Sequence, residues 1–77
     1  MMGPHALQFV HDVAIGTRVV VRYRLDAGAT DALGVLVARS AEVCAIETRR
    51  GVVNIFFTDI VAAKQVPPAP QPRRRAE

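Results

Sequence analysis

Gly16-Thr17-Arg18-Val19-Val20-Val21-Arg22-Tyr23-Arg24-Leu25 is the stretch whose reading decides the fold class. In an extended chain Thr17, Val19, Val21, Tyr23 and Leu25 share one face, while Arg18, Val20, Arg22 and Arg24 share the other. That period of two describes a strand with one wet face. Downstream, Asp26-Ala27-Gly28-Ala29-Thr30-Asp31 reads as a polar loop. A second strand is expected over residues 32–39 with Leu33, Val35 and Val37 inward, and with Gly34 on the opposite face allowing a bend or a close crossing.

After Ser40-Ala41 a third strand spans residues 42–48. Its register stays open, because Val43 and Ala45 oppose Cys44, Ile46 and Thr48, and Glu42 and Glu47 compete for the exposed side; Cys44 and Ile46 inward is the preferred choice. Arg49-Arg50-Gly51 is a tight turn in which Gly51 takes positive φ without a Cβ clash. Strand four covers residues 52–57, with Val53, Ile55 and Phe57 inward and Val52, Asn54 and Phe56 outward. A 3₁₀ turn at Thr58-Asp59-Ile60, capped by Thr58 or Asp59, precedes a last strand at residues 61–65. Five short strands joined by tight reversals predict an all-β, five-stranded antiparallel barrel whose core holds Val19, Val21, Val35, Val37, Val53 and Ile55. Closure removes the exposed edges that so small a domain has little material to cover.

At 77 residues the chain supports one small core, and its 51% hydrophobic content, in which Val far outnumbers Leu, favours strands over helices. Residues 1–13 are an undefined amino-terminal segment, within which residues 6–14 fit either a helical turn or a short strand. Residues 14–66 form the barrel. Residues 67–77, with four of the five prolines and then Arg73-Arg74-Arg75, read as an extended linker or tail that carries most of the +3 net charge. A lone Cys44 cannot form an internal disulfide, no run approaches 18 apolar residues, and no secretory leader opens the chain. A cytoplasmic location without membrane contact is the expectation.

Chemistry-bearing constellations are sparse. His5 and His11 lack the paired spacing of a zinc site, no acidic pair stands beside a nucleophile, and no glycine-rich turn offers a phosphate cradle. Catalytic, cofactor-binding and metal-binding residues are therefore expected to be absent. A groove for polyproline ligands is poorly supplied, with only Tyr23, Phe56 and Phe57 as aromatics within the barrel and no Trp. Arg18, Arg22, Arg24, Arg49 and Arg50 are the candidates for nucleic-acid binding. Against that partner, Asp31, Glu42, Glu47 and Asp59 dilute the field, and stacking aromatics are few near the arginines. Val52 and Phe56, with Phe9 and Val10, are the candidate interaction patch, to be covered by a partner domain or, in isolation, by a second copy in a homodimer.

Gly16 to Leu25, Thr30-Asp31-Ala32-Leu33-Gly34, Thr48-Arg49-Arg50-Gly51, Asp59-Ile60-Val61-Ala62-Ala63-Lys64 and Val66-Pro67-Pro68 together resemble the amino-terminal SH3-like domain of actinobacterial GNAT-type N-acetyltransferases. The resemblance implies an SH3-like barrel acting as a non-catalytic docking or stabilising module. It further implies an attached or cognate acetyltransferase domain as partner, and acetyl-CoA bound in that domain only. The alternative function is that of a weak nucleic-acid-binding β-barrel.

Overall fold

The computed structural model describes residues 4–67. They form helix α1 (Pro4–Asp12), strands β1 (Arg18–Leu25), β2 (Gly28–Arg39), β3 (Val43–Thr48) and β4 (Gly51–Phe56), a 3₁₀ turn (Phe57–Asp59) and strand β5 (Ile60–Gln65). All strand pairs are antiparallel, in the order β4-β3-β2-β1-β5. The expected reading of residues 67–77 as a linker or tail falls almost wholly outside the described residues.

The expected closed SH3-like barrel is corrected to an open sheet. Among the described residues β4 pairs only with β3 and β5 only with β1, so two edges remain. What seals the core is a helix. α1 packs against β5, and its i, i+4 pair Ala6 and Val10 enters the same buried cluster as Val19, Val21, Ala32, Leu36, Cys44, Ile46, Ile55, Phe57 and Ile60. The His11 ring stacks on Phe57 with centroids 4.2 Å apart, which fixes the last turn of α1 over the sheet. The Arg39 guanidinium donates to the carbonyl oxygens of Val10 and Val13, at 2.8 and 2.6 Å, and so occupies the acceptors that the helix end leaves open. Residues 6–14 thus resolve toward the helical alternative.

β2 also differs from expectation. Leu25 pairs with Gly28, so the hairpin turn is only Asp26-Ala27 and the strand starts four residues early. Its faces are exchanged as well: Ala32, Gly34 and Leu36 point inward, whereas Leu33 and Val37 are exposed and Val35 is half-buried on the outer side. The cause is steric. A Cβ on Gly34 would overlap the backbone carbonyl oxygen of Glu47, so β2 and β3 cross where only glycine fits, and small residues must face in there. Beyond the crossing a bulge between Leu36 and Ala38 leaves Val37 out of the pairing.

The remaining strands agree with their readings. Cys44 and Ile46 are inward on β3, while on β4 and after it Ile55 and Phe57 are buried, Val53 is half-buried and Phe56 is outside. Gly51 adopts φ +123°. The 3₁₀ turn starts one residue earlier than expected, at Phe57, and no side chain caps it; Ile60 N–H closes it by donating to Phe57 O. No helix among the described residues is long and apolar enough to cross a membrane.

Candidate nucleic-acid interface

The strand pairing of β2 creates the site. β3 pairs with β2 from Val35 onward, so residues 28–34 of β2 run past the end of β3 beside β1. The Arg49-Arg50 turn stands at the corner of that overhang. Its shape is held by Thr48, whose Oγ1 donates to Gly51 O at 2.8 Å and accepts from Arg50 N–H at 3.1 Å. Between overhang and turn lies a groove of about 650 Å³, lined by Arg18, Arg49, Arg50, Tyr23, Thr30 and Thr48 among others.

Of the five arginines singled out in the sequence, three therefore meet. Arg18 also donates from Nη1 to Pro67 O at 3.1 Å, which ties the exit of β5 to the start of β1. Arg22 and Arg24 stand apart. Arg22 sits opposite Asp31 in the β1–β2 register and pairs with it at 3.1 Å, both side chains being half exposed, and Arg24 is opposite Ala29 near the hairpin tip. An exposed pair of that kind contributes little to stability, yet it neutralises the charge that Arg22 would offer a ligand. Tyr23, read from sequence as sharing the strand face of Val19 and Val21, is half-buried and lines the groove. The signal was present: it is the one aromatic in a valine alternation that outruns the core, as the 53% exposure of Leu25 shows.

The four residues of the interaction patch do not converge. Val52 and Phe56 are 56% and 58% exposed on the outer side of β4, whereas Phe9 is half-buried on α1 and Val10 is in the core at 1% exposure. Helical spacing explains Val10, since it falls beneath the same face as Ala6. Among the described residues no group of three or more His, Cys, Asp or Glu is placed to hold a metal ion. Cys44 is a free, buried thiol, pushed up from its ordinary pKa by that burial and drawn back in part by the charge of Arg39.

One protein-family model, described as the Rv0428c N-terminal Sm-like domain, matches residues 13–64, more than half of the chain. No curated protein and no solved structure matches. The match corrects the resemblance drawn from sequence, because the family is described by an Sm-like fold and not as an SH3-like, GNAT-associated module. With that resemblance go the acetyltransferase as attached domain or partner and the role of docking module for it. An open five-stranded sheet with a 3₁₀ turn before its last strand is what the matched residues build, and the chain belongs to the Rv0428c N-terminal Sm-like domain family.

Proposed function

We propose that this chain is a non-catalytic Sm-like module that binds single-stranded RNA along the groove beside the Arg49-Arg50 turn. The observation that carries the reading is that Arg18, Arg49, Arg50 and Tyr23 line one groove. Guanidinium groups supply phosphate contacts, and a tyrosine in the same groove supplies a stacking platform of the kind whose scarcity counted against nucleic acid in the sequence. Sm-like domains typically partner with RNA or with other Sm-like subunits, which supports the same reading. The unpaired, buried Cys44 suits a reducing compartment, and the cytoplasm is the setting we assign.

Fluorescence anisotropy with labelled oligonucleotides of about ten nucleotides tests the proposal. With three phosphates neutralised, log K should fall against log salt with a slope of about −2. The double change Arg49→Ala and Arg50→Ala should weaken binding about tenfold or more and flatten that slope, whereas Arg22→Ala with Arg24→Ala should leave affinity within about twofold. No saturable binding at about 0.1 M salt, or a larger loss from the Arg22 and Arg24 pair, would overturn it.

A further inference from the structure

Among the described residues, Asp31 is the one carboxylate that lines the groove. A bare carboxylate beside a polyanion repels it. Arg22 offsets that repulsion, because its Nη1 donates to Asp31 Oδ1 at 3.1 Å across the register that sets the two residues opposite each other. No other described side chain donates to the carboxylate, which is half exposed and keeps Oδ2 for a ligand. An ionised carboxylate only accepts hydrogen bonds, so what Oδ2 takes has to be a donor.

A nucleic-acid strand offers two kinds of donor, the N–H groups of its bases and, in RNA, the ribose 2′-hydroxyl. Strand geometry separates them. Tyr23 and Thr30 form one cross-strand pair and Arg22 and Asp31 the next, and successive side chains of a strand point to opposite faces. Tyr23 shares the face of the buried Val19 and Val21, so Asp31 stands on the other face, one residue along from Thr30. A base stacked on the Tyr23 ring keeps its own hydrogen-bonding edge on the inner side. The sugar joined to that base, which lies between base and phosphate, is the part that reaches across the edge of β2 to Asp31.

We propose that Asp31 is the residue that tells RNA from DNA in this groove: held by Arg22 through Oδ1, it accepts at Oδ2 a hydrogen bond from the 2′-hydroxyl of one ribose. The assignment rests on single-stranded RNA occupying the groove as proposed above, and it names the chemical feature of that strand which is read. It also gives the Arg22–Asp31 pair a role other than stability, to which an exposed pair adds little. A hydrogen bond to an ionised acceptor is stronger than one between neutral groups, so a single hydroxyl is enough to set a preference.

Fluorescence anisotropy on the 77-residue chain tests this, with one sequence of about ten nucleotides made as RNA, as DNA carrying the same bases and as 2′-fluoro RNA. We expect RNA to bind at least about fivefold more tightly than the DNA. The 2′-fluoro strand keeps the sugar pucker of RNA but has no hydroxyl donor, and it should bind as the DNA does. Asp31→Ala should bring RNA and DNA to within about twofold of each other without weakening the DNA, because it removes an acceptor and no cation. The three strands read the preference on the native chain even if Asp31→Ala does not fold. Equal binding of RNA and DNA, 2′-fluoro RNA binding as tightly as RNA, or an Asp31→Ala chain that keeps the native preference would each overturn the assignment while RNA binding in the groove stands. Absence of binding to all three strands would remove the RNA reading itself, and the assignment with it.

Discussion

Leu36 and Val37 are chain neighbours on β2 that live in different environments. Leu36 is fully buried on the inner face beneath the rest of the core cluster, and Val37, lifted out of register by the bulge, keeps 38% of its surface in water. The contrast extends across the whole sheet. On the inner face every large apolar side chain near the centre is covered, whereas the outer face leaves Leu33, Val37, Val52 and Phe56 exposed although they are as hydrophobic as anything inside. Hydrophobicity alone therefore does not determine which side of this sheet is the core. Two geometric facts do: where β2 and β3 cross tightly, and where α1 can reach.

The largest test of that contrast is truncation of the two neighbours. Leu36→Ala should cost about 2–5 kcal/mol, through lost transfer energy and the cavity left behind, while Val37→Ala should cost about 1 kcal/mol or less. Urea unfolding of both variants measures the difference, and equal losses would mean that the faces of β2 are assigned the wrong way round.

Gly34→Ala probes the crossing itself. The new methyl would meet backbone, with the Glu47 carbonyl carbon 2.7 Å and the Thr48 Cα 3.1 Å from it, and neither can move aside as a side-chain tip can. A loss of about 1–3 kcal/mol is expected from the forced separation of β2 and β3. A neutral result in the same urea assay would show that the strands do not approach so closely.

The smallest effect belongs to Cys44, inward on β3 opposite Arg39. Its folded pKa is raised, by burial first and against the pull of Arg39. As pH climbs past the ordinary thiol value, the unfolded chain loses this proton before the folded one does, so stability falls with rising pH in that alkaline window and is unaffected below it. Thermal midpoints followed into the alkaline range should decline more steeply for the native chain than for Cys44→Ala. Parallel declines would place the thiol in contact with water.

These particulars also show how far the sequence could be read. β1 and the split between Phe56 and Phe57 follow from alternation and the Arg49-Arg50-Gly51 turn from its glycine, whereas the register of β3 stays open in the sequence and the structure takes the preferred choice, Cys44 and Ile46 inward. β2 defeats the same rule. Leu33, Val35 and Val37 look like an inner face, but the crossing at Gly34 demands small residues inside, and only the three-dimensional approach of Glu47 reveals the demand. Barrel closure was inferred from the need to cover edges, and a helix that residues 6–14 leave ambiguous covers the core instead. The groove was half legible: its arginines stood among the candidates, but nothing along the chain tells that Arg18 joins Arg49 and Arg50 while Arg22 is taken by Asp31.

The clamp of Arg39 on α1 has a consequence in time. A nine-residue helix is too short to persist alone in water, so α1, which precedes the sheet, has to wait for its support. The group that holds its final carbonyls lies more than twenty-five residues downstream, at the end of β2, and the ring that stacks on His11 lies farther still. During synthesis α1 thus emerges before Arg39 and Phe57, the residues that hold it, and its docking depends on both. Until then the inner face of the sheet is open, and the interval between sheet formation and helix docking is when this chain is most exposed to mispairing.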